Sequence, residues 1–410
     1  MSEKFDDYKL QEGCTVQPQT KKELVDIIKN TCKRKGWNCD LNFIDTSKIT
    51  DMSRLFANTP TNVGGYGFRK FNCDISKWNT SNVTNMHDMF YNAKFFNRPL
   101  NNWEVSNVTD MSSMFDGATK FNQPLDKWNV SKVKNMKYMF ADAIQFNQPI
   151  ENWDVSSVSN MQGMFQKAFS FNQPLDKWNV SNLEILAYMF YEAKNFNQPL
   201  NNWNTSKVIS ISHMFQKAFS FNQPIENWDV SNVSSMCGMF KNAISFNHPL
   251  EKWDVSNVHI MNQMFEEAKK FNQPLNNWNT SKVTNMARMF KKAISFNQPL
   301  DKWDVSNVTD MSYIFEEAKK FNQPLNNWNI SKVTSMSGMF KKAISFNQPL
   351  NNWIFINFTG ILGPLYMFKG AKIFDSKIPF FKDFEFHHFA DKCKYLGLSH
   401  KYAEKHQHDF

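Results

Sequence analysis

Twelve tryptophans, Trp78 to Trp353, stand 25 residues apart with no insertion or deletion between them. No other feature restricts the fold as strongly, because a fixed period of roughly 20–50 residues makes each period one structural unit stacked on the next. Other residue types keep the same grid. An FN dipeptide recurs twelve times, from Phe71-Asn72 to Phe346-Asn347, and eleven of the 15 prolines lie on the grid, Pro99 to Pro349. An alanine recurs from Ala93 to Ala343, and a serine follows each of the first eleven tryptophans by three positions, Ser81 to Ser331. Two positions, exemplified by Met86 and Met89, hold 19 of the 22 methionines.

Within one unit, residues 203–227, Ile211, Met214, Phe215 and Ala218 are spaced i, i+3, i+4 and i+7. That spacing predicts one face of a short helix, with Ser210 or its equivalents as cap. Phe221-Asn222-Gln223-Pro224 reads as a turn, since proline fixes φ and disfavours helix before it. Ile225, Trp228 and the Thr205 and Val208 positions read as an extended segment. The chain is therefore predicted to be an α/β solenoid with one short extended rung and one short helix per 25-residue unit.

A single unit cannot bury its own apolar face. Each buried aromatic contributes roughly 2–3 kcal/mol, while ordering the chain costs about 1.5 kcal/mol per residue, so the interface between coils decides stability. Stacking puts Trp on Trp, Phe on Phe and Met on Met. The Asn after each Phe and the repeated Ser are expected to form buried hydrogen-bond ladders. The pairs Glu266-Glu267, Lys291-Lys292, Glu316-Glu317 and Lys341-Lys342 alternate in sign, which predicts cross-coil pairing on a solvated outer face, worth about 0.5 kcal/mol per pair.

The ends depart from the grid, as a solenoid's terminal caps must. Residues 1–43 form an N-terminal segment in which Thr20-Lys21-Lys22-Glu23 is a capping box opening an amphipathic helix over about 20–35, stopped by Gly36. Residues 44–77 are a degenerate first repeat with Ile44 in the Trp place and an insertion of about nine residues between Asn58 and Lys70. Eleven repeats follow at 78–352, then a degenerate last repeat at 353–379 and a C-terminal cap and tail at 380–410.

The motif MFxxAxxFNQPLxxWxxSxVxxM, preceded by DLNFIDTSKITDMSRLF, resembles the BspA-like leucine-rich-repeat family, in its 25-residue mycoplasma-lipoprotein-type form. The likeness covers about residues 20–375. It implies a leucine-rich-repeat-like, right-handed coil. Relatives include bacterial surface proteins, with close repeats in protist and large-DNA-virus proteins; adhesion or protein binding is the usual role, and most have no assigned activity.

The chemistry of the sequence points the same way. There is no GxGxxG, GxxxxGK[ST], HExxH or GxSxG motif. Asp154, Asp229, Asp254 and Asp304 recur beside Trp without a partner base, so no catalytic role is expected for them. His87, His213, His248 and His259 read as surface positions needing no role, and the His-rich tail as an unstructured end rather than a metal site. Cys14, Cys32, Cys39, Cys73, Cys237 and Cys393 form no C-x-x-C pair and are scattered, so reduced thiols are expected rather than a disulfide framework or a zinc site. The net charge of +9 is thinly spread and only five basic residues are Arg, the residue suited to bidentate phosphate contacts, so no nucleic-acid partner is expected. No stretch approaches about 18 apolar residues, so no membrane span is expected, and MSEKFDDYKL has no apolar h-region, which favours an intracellular setting.

These readings converge on a non-enzymatic repeat scaffold, a monomer without cofactor, whose protein partner or surface ligand is left open. The alternative is a structural component that self-associates. The expected interaction face is the set of residues flanking Trp: Lys177, Asn179, Asn202, Asn204, Asn227, Asp229, Lys252, Asp254, Asn277 and Asn279.

Overall fold

The computed structural model describes residues 15–59, 67–350, 352–355, 366–371 and 380–381. Most of the inserted loop and nearly all of the C-terminal cap, including every tail histidine, fall outside the described residues. The chain divides into two units, Met1–Val158 and Ser159–Phe410, and each is a stack of coils, a repeat solenoid built by one set of rules.

Helix α1, Lys21–Lys35, opens the first unit. Thr20 caps it by accepting the Glu23 N–H, and Gly36, at φ 84°, returns its own N–H to the Cys32 carbonyl. Leu24, Val25, Ile28 and Cys32 are its buried face, and the Lys21 ammonium reaches Asp51 in the first coil at 3.1 Å. Two two-residue strands in the second unit, β1 (Ile354–Phe355) and β2 (Phe380–Phe381), pair in parallel.

In the repeats themselves the short helix is absent, and so is the extended rung at the expected place. Strand-like pairing shrinks to one residue per coil, the one before the first methionine. Parallel bridges link Asn85 to Asp110 and Asp110 to Asn135 in the first unit, and run from Asn160 to Ser335 in the second. The positions read as extended are turns, with the Trp228 N–H bonded to the Ile225 carbonyl at 3.2 Å.

The following segment, read as helical, is a ladder of turns. Its amides alternate in direction. Met236, Gly238, Phe240 and Asn242 donate to Ile260, Asn262, Met264 and Glu266 of the next coil, while Met239, Lys241 and Ala243 donate to Met236, Gly238 and Phe240, three residues back. An α-helix needs every amide to point back along its own axis, so half of these donors are spent elsewhere. The alternation is produced by two left-handed residues per coil, four apart, such as His213 (φ 57°) and Lys217 (φ 57°), or Arg288 (φ 59°) and Lys292 (φ 55°). A side chain there costs about 1–2 kcal/mol, which the inter-coil bonds offset; Gly163 and Gly238 occupy the first of these positions without that cost. The apolar spacing is nevertheless obeyed, for Ile211, Met214, Phe215 and Ala218 are all buried.

Three aromatic columns fill each stack. Phe215 lies 3.8 Å from Phe221 and 5.8 Å from Phe240, ring centroid to centroid, and Trp203 lies 6.2 Å from Trp228, nearly parallel. Within each unit the Phe rings stack on their copies in the adjacent coil, as Phe215 on Phe190 and Phe240. Each indole N–H also has a partner: Trp203 donates to the Leu175 carbonyl and Trp228 to the Leu200 carbonyl of the preceding coil.

The two expected polar ladders part ways. Asn after Phe does form one, the Asn322 N–H and the Gln323 amide both donating to Asn297 Oδ1, at 2.9 and 3.1 Å. The repeated serine does not; it lies near the surface and closes a local turn in which Ser206 N–H and Oγ–H both donate to Asn204 Oδ1. Losing the first ladder has a cost that losing the second lacks, because the Asn297 donors are part-buried. Asn297→Ala is expected to destabilise by about 1 kcal/mol, with Asn297→Asp, which keeps the acceptor, retaining most of that; urea denaturation of both variants measures it.

Candidate functional site

The ten Trp-flanking residues all sit at exposed positions in the second unit. Their alternation with buried indoles places them outward, as expected. Half of them brace local turns. Asn179, Asn204, Asp229, Asp254 and Asn279 each accept the backbone N–H of the serine two residues on, at 3.0–3.2 Å. The Ser256 hydroxyl and backbone N–H hold the Asp254 carboxyl below its ordinary range. These acidic and amide groups are Asx-turn braces, chosen for the turn rather than for a ligand. The other half, Lys177, Asn202, Asn227, Lys252 and Asn277, vary only between Lys and Asn.

A second column carries far more chemical variety. It is the pair between the two positions mostly filled by methionine: His87-Asp88, Ser112-Ser113, Lys137-Tyr138, Gln162-Gly163, Ala187-Tyr188, Ser212-His213, Cys237-Gly238, Asn262-Gln263, Ala287-Arg288, Ser312-Tyr313 and Ser337-Gly338. The second member sits at the first left-handed position, so its side chain leans outward over the next coil. In the second unit the Tyr188 ring stacks on the His213 ring at 4.8 Å, and His213 Nδ1 meets Gln216 Oε1 at 2.6 Å. Burial pulls the His213 pKa below its ordinary value despite that bond, so the ring is neutral at pH 7. The expectation that His213 is a plain surface residue is corrected by this half-buried stack. A Cβ at Gly238 would collide with the His213 ring, so glycine there makes room for the imidazole. Gly338 does the same for Tyr313, whose ring is also approached by the Arg288 guanidinium at 5.6 Å and the Lys291 ammonium at 5.4 Å.

Beside this column the alternating charges are not a solvated outer face. The Glu266 and Glu316 side chains are only 7% and 6% exposed. Lys291 and Lys341 clamp Glu316 at 2.7 and 3.0 Å from the coils before and after it. Burial raises the Glu316 pKa, but the two ammonium groups outweigh it and hold the carboxyl below its ordinary value. The outer members of each pair also meet, Lys292 with Glu267 at 3.1 Å and Lys342 with Glu317 at 3.4 Å.

In the first unit the same column borders an open cavity of about 470 Å³ lined by His87, Asp110, Ser112, Ser113, Asn135, Lys137 and Tyr138. Ser112 Oγ lies 2.6 Å from Asp110 Oδ1 and 2.8 Å from His87 Nδ1, and His87 Nε2 lies 3.2 Å from Asp88 Oδ2.

A protein family described as "Mycoplasma protein of unknown function, DUF285" matches residues 25–143, 123–222, 189–299 and 274–381, four overlapping copies. No curated protein matches the chain. Among solved structures, TLR13 in the TLR13-ssRNA13 complex is 11% identical, with 89% of this chain and 54% of that one covered and a TM-score of 0.25. The chain thus spans about half the length of that protein. The LRR protein LIC12759 of Leptospira interrogans is 8% identical, with 74% and 90% covered and a TM-score of 0.20.

Proposed function

The chain belongs to this mycoplasma-type family of unknown function, and from that premise we propose that it is a non-enzymatic scaffold that binds a protein partner through the column between the methionines. The winding is BspA-like, right-handed and leucine-rich-repeat-like. One observation supports the reading: the second member of this pair runs Tyr188, His213, Gly238, Gln263, Arg288 and Tyr313 from coil to coil, whereas the residue before each Trp is only Lys or Asn. Aromatic and guanidinium groups are the side chains that anchor protein interfaces, and the Trp-flanking face offers neither. Weak contacts repeated along a stack add through effective concentration.

The test compares two alanine sets in full-length protein used to capture partners from its native cell. The set Tyr188, His213, Arg288 and Tyr313 is expected to abolish capture, and the set Lys177, Asn202, Asn227 and Lys252 to leave it intact. The opposite ranking rejects the assignment of the face. Sedimentation velocity is expected to show one species at all concentrations; concentration-dependent growth would favour self-association instead.

A further inference from the structure

Three cysteines far apart in the sequence converge in the first unit. Cys32 ends the buried face of α1, Cys39 follows the Gly36 reversal, and Cys73 lies in the next coil. Cys73 Sγ is 3.3 Å from Cys39 Sγ and 3.6 Å from Cys32 Sγ, and all three sulfurs lie within 4.8 Å of one another. These residues are scattered along the sequence, and coil closure across 34 and 41 residues brings them together.

The backbone under them is fixed. Asn72 N–H bonds to the Trp37 carbonyl, Asp74 N–H to the Cys39 carbonyl and Leu41 N–H to the Asp74 carbonyl, at 2.8–2.9 Å. Cys32 and Cys73 are buried, while Cys39 is half-buried and leaves one side of the triangle open.

We propose that Cys32, Cys39 and Cys73 form a preorganised three-thiolate site for a d10 cation of the Zn2+ class, with water entering past Cys39 as fourth ligand. Sulfurs bound to tetrahedral zinc at about 2.3 Å lie about 3.8 Å apart, close to the 3.6 Å Cys32–Cys73 separation and about 0.5 Å beyond the 3.3 Å Cys39–Cys73 one. A disulfide would use two of the three sulfurs and strand the third. Starting from three thiols, loading exchanges three thiol protons for one Zn2+, leaving a tris-thiolate zinc of charge −1 and releasing three H+. The site pins α1 to the second coil, so it works as a clasp on the end of the stack, independently of the interaction face.

Cobalt(II) titration of the reduced full-length chain tests this, because a sulfur-to-cobalt charge-transfer band reports thiolate ligation and is silent for the histidines of the tail. The expected result is a band saturating at one equivalent, bleached by Zn2+, with a higher melting temperature for the zinc form. Cys39→Ser is expected to weaken cobalt binding by more than about 100-fold, beyond the loss of a supporting hydrogen bond, and Cys237→Ser to change nothing. Cys39→His, which keeps a ligand, should retain one-equivalent binding with a weaker band, and stands in should the serine variant fail to fold. Absence of the band, a band unchanged in Cys39→Ser or Cys39→His, or a Cys39–Cys73 disulfide in protein that takes up no cobalt would each overturn the proposal.

Discussion

Trp203→Ala is expected to lower the free energy of unfolding by about 3–5 kcal/mol, the range for truncating a buried aromatic. The indole is 2% exposed and touches a copy of itself at 6.2 Å in the next coil. Its removal opens a void inside a continuous column, where neighbours held by their own inter-coil bonds have little freedom to collapse inward. The Leu175 carbonyl, which accepts the indole N–H at 3.0 Å, is orphaned as well. Lys177→Ala, one residue before the preceding tryptophan, is expected to shift stability by less than about 0.5 kcal/mol, as exposed substitutions do. Chemical denaturation of the two variants ranks them, and the reverse order would invert the inside and outside of the coil.

The double variant Lys291→Met, Lys341→Met is expected to cost about 3 kcal/mol at pH 7, because it strands the Glu316 carboxylate in a site that is closed to water. The wild-type carboxyl is held below its unfolded pKa, so its contribution is present above that value and is lost as pH falls through the folded one. In the variant, burial acts alone and raises the folded pKa. The carboxyl is then neutral and harmless at low pH, and the penalty grows as pH rises past the unfolded value. Urea midpoints of the two proteins should therefore converge near about pH 3, where carboxyls are largely protonated in both, and separate toward pH 7. A gap independent of pH would show that lost lysine packing, not the stranded charge, is responsible.

The inside of the coil was readable because burial leaves a mark on residue type. Trp203, Phe215, Phe221 and Ala218 can be only large or only small at their places, and each is buried as its period implies. The Asn ladder was readable for a similar reason, since a short amide after every Phe has few other uses. The backbone path was not. Spacing i, i+3, i+4, i+7 arises from a helix, but also from consecutive three-residue turns joined by left-handed residues, and Tyr188, Gln263 and Arg288 give no hint that they hold φ near +60°. Glycines carried that signal, at 163, 238 and 338 on the first left-handed position and at 117 on the second. The residues before each Trp recur as Lys or Asn, whereas the column between the methionine positions changes from coil to coil. The cysteine triangle was hidden because its members are neighbours only after the chain has wound once.

The Lys and Glu pairs that alternate from coil to coil constrain how a gene for such a chain lengthens or shrinks. Excising one 25-residue period between Glu266 and Lys341 would place lysine upon lysine or glutamate upon glutamate across the new junction. Excising two would restore every opposite neighbour. In this stretch the heritable quantum is the doublet, and lineages carrying this fold should change their count of coils there by even steps.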